Sequence, residues 1–418
     1  MNNDRKLILS RKNLRVVVLI FSLIFSSLVT GLSSVANAAS KDPKIKWTVK
    51  VLSAKSLVTL DNLVESDSLG KRSWSALGNC KITKGALRMT TPGNCELSVK
   101  IEAKQGFNEI SRSKQFPVKT EKPVQIRLGC FTGPQLIWAY YLIDNAAKNG
   151  LDIKCQKITN FADAQIAIES GQTDIAPLGY HQVATIRANK LWVIAGYARG
   201  GNELIVGPST KISSWSDLEG KSIGVFVGSW AKILFEINIK EKNISLKKLV
   251  LFNSVPPMLA ALKSGDIDGM FMFETINAVA VRTLGASYAP LDYSDNSVGD
   301  LNGIITVTKQ FGLEHPVLVT KFLAEVINAQ KALTADRALW AAITQRESGA
   351  TLVVSQTSVS RTQFVTGLNE RTARAMCLVA PLIGVTTTAN SECATGLLNY
   401  DFLTEATGLT AVELGKNK

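Results

Sequence analysis

The chain has 418 residues, more than a single domain usually holds, so two or three domains are expected. Its formal net charge is +13, but the lysines and arginines are dispersed, which argues against nucleic-acid binding and favours attraction to an anionic cell envelope or an anionic solute. The sequence has two histidines and no C-x-x-C spacing, so we expect neither a metal site nor a cofactor.

The first 38 residues have the pattern of a secretory signal peptide. Basic residues precede an apolar run from Val16 to about Leu32, and Ala36-Asn37-Ala38 then fits a cleavage site. The alternative is an uncleaved membrane anchor, because the apolar run is about 17 residues long. No cysteine precedes Cys80, so lipoprotein attachment is not expected. We therefore expect an exported protein in the periplasm, in the cell envelope or outside the cell.

Residues 40–120 have the pattern of a small all-β domain. Short runs such as WTVKVLSA and CELSVKIEAK alternate apolar and polar residues and are broken by Gly, Pro and Asn. The stretch GNCKITKGALRMTTPGNCELSVKIEAKQGFN resembles the immunoglobulin-like (Ig-like) repeats of bacterial cell-surface proteins. This resemblance implies an Ig-like module that contacts the cell wall. Pro117 to Pro123 is interpreted as the linker to the next domain.

From Val124 onward, strand and helix patterns alternate, which predicts parallel sheets with right-handed crossovers. The layout then restarts, and the corner FADAQIAIESGQTDIAPLGY returns about 94 residues later as PPMLAALKSGDIDGMFMFET. In both copies a glycine (Gly171 or Gly265) ends a helix and an aspartate leads into a strand. We therefore predict two similar α/β lobes joined by two chain crossings. Lobe 1 comprises 121–200 and 296–418, and lobe 2 comprises 201–295.

The six cysteines are interpreted as disulfides because an exported protein meets oxidising conditions. Six cysteines allow 15 pairings, so connectivity does not follow from the sequence alone. Their spacing suggests three local pairs: Cys80–Cys95, Cys130–Cys155 and Cys377–Cys393.

The motifs of the second lobe identify a family. SWSDLEGKSIGVFVGS, followed by PPMLAALKSGDIDGMFMFE, resembles the solute-binding proteins of ABC importers for nitrate, sulfonates, taurine and thiamine-precursor pyrimidines, the NMT1/THI5-like family. The resemblance extends over roughly 124–409 and implies a type II periplasmic-binding-protein fold whose two lobes close on a solute. The usual W-E-P of the family is replaced by Phe273-Glu274-Thr275.

The same resemblance implies a set of ligand-binding residues at strand-to-helix turns and at the crossing. Helix N-termini there would offer free N–H groups to an anion, aromatic rings would hold a flat or apolar group, and an arginine would pair with an acid group. The expected contacts are Phe131, Thr132, Gly133, Tyr180, His181, Arg199, Asn202, Ser229, Trp230, Phe273 and Glu274. For Tyr180, His181, Arg199 and Trp230, ordinary packing or solvent exposure remains an alternative.

The expected function is an extracytoplasmic receptor that captures a small anionic or aromatic solute for ABC permease subunits. The sequence gives little support for catalysis: H-E-x-x-H does not occur, and Gly220-Lys221-Ser222 precedes a strand rather than a helix. Two alternatives remain. One is a surface sensory protein without transport, and the other is a pyrimidine-forming thiamine-synthesis enzyme of the same fold, which the secretory signal disfavours.

Overall fold

A computed structural model describes residues 40–185, 190–299, 301–368, 370–382 and 396–416. The predicted signal peptide and Cys393 therefore lie outside the described residues. By its internal contacts the chain divides into two compact units. Within the described residues, the first unit comprises 40–47, 64–75 and 97–114, and the second comprises the rest of the chain.

The N-terminal segment is built of short strands, as its alternating pattern predicts. These strands are β1 (Ile45–Trp47), β2 (Leu52–Ser53), β3 (Leu57–Thr59), β4 (Val64–Ser66), β5 (Arg72–Gly78), β6 (Cys80–Thr83), β7 (Ala86–Met89), β8 (Gly93–Ile101) and β9 (Ile110–Lys119). In the first unit, β1 pairs with β4, and Val99, Ile101 and Ile110 form a small core with Trp47 and Trp74. The Ig-like assignment itself stays a prediction.

Part of the N-terminal segment belongs to the second unit, where β3, β7 and β6 form a three-stranded sheet. The carboxylate of Asp401 accepts hydrogen bonds from the backbone N–H and the hydroxyl of Thr59 at 2.7 and 2.9 Å. Arg88 donates two hydrogen bonds to Glu405, at 2.7 and 3.1 Å. Paired hydrogen bonds between charged groups fix geometry well. This sheet is therefore held directly against the C-terminal helix that contains Asp401 and Glu405.

The remaining strands form two larger sheets, one in each lobe. They are β10 (Ile126–Cys130), β11 (Ile153–Lys157), β12 (Ile175–Leu178), β13 (Leu191–Gly200), β14 (Asn202–Val206), β15 (Ser222–Phe226), β16 (Lys248–Phe252), β17 (Gly269–Phe273), β18 (Ser287–Tyr288), β19 (Leu301–Thr308) and β20 (Thr362–Phe364). The first lobe has the order β11-β10-β12-β19-β13-β20, and the second has β16-β15-β17-β14-β18. In each sheet three parallel strands are followed by an antiparallel strand that arrives from the other lobe.

Helices connect and cover these sheets. They are α1 (Trp138–Asp144), α2 (Ala146–Asn149), α3 (Phe161–Glu169), α4 (Tyr180–Thr185), α5 (Trp230–Glu241), α6 (Val255–Ser264), α7 (Ile276–Leu284), α8 (Lys309–Glu314), α9 (Pro316–Ala335), α10 (Arg337–Ser348), α11 (Leu352–Ser360), α12 (Glu370–Leu382) and α13 (Asp401–Thr407). Among the described residues, no helix combines the length and the apolar character needed to cross a membrane.

The repeated corner has the same function in both lobes. Gly171 and Gly265 have φ values of 72° and 82°, so both glycines adopt the left-handed conformation predicted for them. The backbone N–H of Asp174 donates to the Arg127 carbonyl at 2.7 Å, and the Asp174 carboxylate accepts the Arg127 N–H at 2.9 Å. Asp268 does the same with Ser222, whose N–H reaches the Asp268 carboxylate at 2.8 Å. Each aspartate therefore fixes its strand against the neighbouring strand.

The first helical segment of lobe 1 is interrupted. A 3-10 turn (Pro134–Leu136) is followed by α1 and α2, and the break between these helices falls at Asn145, whose side chain donates to the Tyr141 carbonyl. An asparagine that bonds nearby backbone groups competes with the helical pattern. In lobe 2, α6 begins at Val255 with Ser254 as its N-cap, and its two prolines lie in the first turn, where they are tolerated.

The chain passes between the lobes at Gly200 and Gly201, whose φ values are 73° and 74°. A Cβ atom at Gly200 would lie 2.6 Å from the carbonyl oxygen of Arg361, so a side chain has no room there. The structure contains the disulfides Cys80–Cys95 and Cys130–Cys155, and the second joins the adjacent strands β10 and β11. The predicted partner of Cys377 lies outside the described residues.

The predicted linker carries a helix cap. The carboxylate of Glu121 accepts the N–H groups of Val317 and Leu318 at 3.1 and 3.0 Å, at the start of α9. The first N–H groups of a helix have no partner inside the helix, and a negative charge there is favourable. The stretch before β10 is therefore attached to the helical layer of the first lobe.

Candidate functional site

Two strand-to-helix turns of the first lobe lie next to each other, because β10 and β12 are neighbouring strands. The turn after β10 holds Phe131, Thr132 and Gly133, and the Phe131 ring packs on Phe161 with ring centroids 4.8 Å apart. The turn after β12 leads into α4, which starts at Tyr180. The carboxyl ends of parallel strands meet at one edge of a sheet, which is where ligands of α/β proteins bind.

The second lobe presents the matching turn after β15. Gly228 has a φ of 71°, and Ser229 is the N-cap of α5. The Ser229 hydroxyl accepts the Lys232 N–H at 3.1 Å and donates to the Phe226 carbonyl at 2.8 Å. This double role fixes the start of the helix, so that Trp230 occupies its first position.

The two turns contact each other directly. The rings of Tyr180 and Trp230 meet edge to face, with centroids 4.7 Å apart and an interplanar angle of 64°. The Nε2 atom of His181 lies 3.0 Å from the carbonyl oxygen of Gly228, and the Gln182 amide also contacts the His181 ring. Tyr180 and His181 belong to the first lobe, whereas Gly228 and Trp230 belong to the second. The lobes are thus closed on each other at the place where the resemblance predicts ligand binding.

Burial makes the histidine at this contact neutral. His181 is 7% exposed, and loss of water around the ring lowers its pKa to about 4, although the hydrogen bond to Gly228 opposes this shift. With the proton on Nε2, the ring donates to Gly228 and leaves Nδ1 as an acceptor. The contact therefore presents a neutral imidazole at physiological pH rather than a cation.

Two buried polar atoms at this contact have no hydrogen-bond partner among the described residues: His181 Nδ1 and Trp230 Nε1. Trp230 is 3% exposed. Buried polar groups are nearly always hydrogen-bonded, so a buried polar atom without a partner needs an explanation. One is an acceptor and the other a donor, and both belong to residues predicted to bind ligand. They are suited to bind a solute held between the lobes.

The other predicted contacts lie at the crossing. Arg199 is exposed on β13, and its neighbours across the sheet are Leu301 and Gln363. Asn202 is buried, and its amide donates to the side chain of Asn302, which itself donates to the Gly200 carbonyl at 2.6 Å. These amides connect the two strands that pass between the lobes. Phe273 is half-buried and pairs with Asn202 in the second sheet.

Glu274 is 1% exposed and its carboxylate is already hydrogen-bonded by the protein. It accepts from the hydroxyls of Tyr288 at 2.6 Å and Ser358 at 2.8 Å, and from the Ala278 N–H at 3.3 Å. Burial is the largest influence on this group and raises the pKa of Glu274, which the hydroxyl donors partly offset.

A second polar contact lies beside Glu274 and was not expected from the sequence. The guanidinium of Arg361 pairs with Glu203 of β14, with Nε 2.8 Å from one carboxylate oxygen, and it lies 4.2 Å from the centre of the Tyr288 ring. Ser358 and Arg361 come from the helical layer of the first lobe, whereas Glu203 and Glu274 belong to the second lobe. We call these four residues the hinge contact.

A cavity of about 140 Å³ adjoins this contact. Its lining includes Asn202 and Glu203 at the crossing, Asn302 on the returning strand, and Leu234, Asp292 and Tyr293 from the second lobe. Of these residues, only Asn202 was predicted from the sequence as a ligand contact. The others had no local signal, because their positions depend on how distant segments meet.

The comparisons with known proteins agree with this architecture. Residues 147–337, slightly less than half of the chain, match the family model described as NMT1/THI5 like. The taurine-binding periplasmic protein of Escherichia coli is 28% identical over 203 residues, which cover 47% of this chain and 62% of that protein. The chain thus spans less than two thirds of the length of this relative.

Solved structures resemble the lobes at low sequence identity. The periplasmic aliphatic sulphonate-binding protein of Escherichia coli has a TM-score of 0.56 and 14% identity, covering 65% of this chain and 92% of its own. A ligand-binding component of an ABC-type import system from Staphylococcus aureus has a TM-score of 0.56 and 15% identity, covering 68% and 99%. At such low sequence identities, the structural similarity shows the fold alone. The family resemblance and the two-lobed periplasmic-binding-protein fold expected from the sequence are confirmed.

Proposed function

We propose that this chain, which resembles the NMT1/THI5-like family over residues 147–337, is the solute-binding receptor of an ABC importer. One observation carries the proposal: Tyr180 and His181 of the first lobe directly contact Trp230 and Gly228 of the second. A receptor needs two lobes that can enclose a solute at such a contact, and hinge closure around a ligand is a common form of domain motion.

The chemistry of this contact favours a small organic solute that carries an acceptor group. The rings of Tyr180 and Trp230 suit an apolar or flat part. The Trp230 N–H and the first N–H groups of α5 suit an anionic head such as a sulfonate, whereas His181 Nδ1 suits a donor on the solute. We propose a ligand of the sulfonate or taurine, nitrate or thiamine-precursor pyrimidine class. The described relatives bind taurine and aliphatic sulphonates.

We propose that Tyr180, His181, Ser229 and Trp230 form the centre of the site, with Phe131, Thr132 and Gly133 at its first-lobe edge. The roles of Arg199, Asn202, Phe273 and Glu274 as ligand contacts stay predictions. In the structure Arg199 is exposed, and the carboxylate of Glu274 already accepts three protein hydrogen bonds.

We propose further that the protein is exported, acts outside the cytoplasm, needs no cofactor and passes its solute to permease subunits in the membrane without converting it. The relatives described as periplasmic binding proteins support this assignment over the enzyme of the same fold. Contact of the N-terminal segment with the cell wall is a prediction from the Ig-like resemblance.

A thermal-shift screen tests the proposal. The chain without residues 1–38 is melted with taurine, alkanesulfonates, nitrate, pyrimidines and aromatic carboxylates. A true ligand at 100 times its dissociation constant stabilises the folded state by about 2.7 kcal/mol. We expect at least one class to raise the melting temperature. If no class does so, the proposed ligand chemistry is wrong.

A further inference from the structure

Gln135 places a second unpaired acceptor beside the predicted site. It lies in the 3-10 turn (Pro134–Leu136) that follows the turn after β10, and its side chain is half-buried. The side-chain oxygen Oε1 is itself buried and has no hydrogen-bond partner among the described residues, as is also true of His181 Nδ1. Buried polar atoms are nearly always paired, so two unpaired acceptors near one site indicate a ligand that supplies donors.

The side chains of Gln135 and His181 fold back over the glycines at the ends of their strands. A Cβ atom at Gly133 would lie 3.0 Å from Gln135 Oε1, and a Cβ atom at Gly179 would lie 3.1 Å from His181 Nδ1. Neither glycine has a positive φ, so each supplies room for a side-chain acceptor rather than an unusual backbone conformation. Because β10 and β12 are neighbouring strands, the two acceptors lie on adjacent turns at one edge of the first sheet.

The turn that contains Gln135 is held in place by its neighbours. The Nε1–H group of Trp340 in α10 donates to the Pro134 carbonyl at 2.8 Å, and the Leu136 N–H donates to the Gly133 carbonyl at 3.0 Å. Trp340 is fully buried. The backbone of Gln135 is therefore positioned before a solute binds, so a solute group that meets Oε1 does not have to order the turn.

Buried acceptors need hydrogen-bond donors. Gln135 Oε1 is a carbonyl oxygen and Nδ1 of the neutral His181 ring has a lone pair, so each accepts from an N–H or O–H group. Nitrate and alkanesulfonates contain acceptors alone, and a closed complex with either would leave both atoms unpaired. A site built to hydrogen-bond a substrate group discriminates strongly against an analogue that lacks this group, because its own polar groups then stay unpaired.

We propose that Gln135 and His181 together bind an amino group of the solute, so that the receptor selects amino-bearing solutes over anions without a donor. The inference rests on the proposed solute-binding function and adds the chemical class of the solute to it. An acid group on the same solute would be left for the Trp230 N–H across the contact between the lobes.

Matched pairs of solutes test this inference by calorimetric titration of the chain without residues 1–38. The pairs are taurine with propanesulfonate, para-aminobenzoate with para-methylbenzoate, and an aminopyrimidine with the corresponding methylpyrimidine. Within a pair, a methyl group of similar size replaces the amino group. We expect the amino member of the pair that binds to have a dissociation constant lower by about tenfold or more.

The possible failures of this experiment are distinguishable. Equal affinities within the pair, or tightest binding by nitrate, would overturn the inference and leave the receptor function standing. If none of the solutes binds, the proposed ligand chemistry is wrong and the inference falls with it.

Gln135→Met tests the residue itself, because methionine keeps the length of the side chain and removes the acceptor. We expect the affinity for the amino solute to fall about tenfold or more, while the affinity for its methyl partner stays within about twofold. Gln356→Met is the matched control: Gln356 is exposed on α11, and this variant should keep the preference of the unaltered chain. Equal weakening of both solutes by Gln135→Met, as expected from a structural role, would overturn the inference, and so would an unchanged preference.

Discussion

At the scale of single residues, His181 shows most clearly how the fold changes chemistry. The side chain is not unusual in itself, but burial at the contact between lobes removes the water that would stabilise its charged form. The same burial leaves Nδ1 without a protein partner among the described residues. His181 therefore presents a neutral ring with a buried, unpaired nitrogen at the contact between the lobes.

Protonation of His181 should weaken the closed, folded protein. Its folded pKa of about 4 lies below the ordinary value of 6.5, so the folded form binds fewer protons than the unfolded form between these values. This contribution to stability is complete above pH 6.5 and falls as the pH drops towards 4, by roughly 3 kcal/mol in all.

Nuclear magnetic resonance (NMR) titration of the histidine rings measures this directly, because the chain has only two histidines. A His315→Gln variant assigns the signals. We expect the His181 ring to titrate near pH 4, and a His181→Asn variant to lose much of the dependence of the melting temperature on acid pH. Titration of His181 near pH 6.5 would contradict the assigned burial.

At the scale of elements, much was predictable and one feature was not. The two lobes were predicted from local signals. These signals are the periodicity of strands and helices, the glycines that end helices, and the turns at Asp174 and Asp268. The hinge contact has no such signal. Ser358 is 84 residues from Glu274, and Arg361 is 158 residues from Glu203, so only the packing of α11 against the second lobe brings them together.

The hydrogen bond from Ser358 to Glu274 should contribute measurably to stability. Ser358→Ala removes one donor from a buried carboxylate, and hydrogen bonds to charged groups contribute about 1.5–3 kcal/mol. Urea denaturation measures the change. Ser360→Ala is the matched control. The Ser360 hydroxyl is exposed on the same helix and donates to the Thr357 carbonyl of α11, so its removal leaves the contact between the lobes intact. Equal stability of the two variants would mean that the hinge contact does not hold the lobes.

At the scale of the whole molecule, the fold decides which of the predicted site residues come together. The family resemblance named Tyr180, His181, Ser229 and Trp230, and the structure brings them together across the lobes. It also named Arg199 and Glu274, which the structure places at the exposed crossing and in the hinge contact. A motif gives each residue a position along the chain, but which groups face the solute depends on how the lobes close.

The central claim is that a solute is held, unchanged, between Tyr180–His181 and Gly228–Trp230. Calorimetric titration of the best solute from the thermal-shift screen tests it with the Trp230→Phe variant. The aromatic ring is retained, and the lost N–H has no partner among the described residues, so folding should be little affected. Trp215→Phe is the control, because its N–H bonds the Asp292 carbonyl at 3.2 Å, away from this contact.

We predict that Trp230→Phe weakens binding about tenfold or more, since a hydrogen bond to a charged group is lost, while Trp215→Phe binds as the unaltered protein does and the recovered solute is chemically unchanged. Equal affinity of the Trp230→Phe variant and the unaltered chain, or conversion of the solute, would contradict the account.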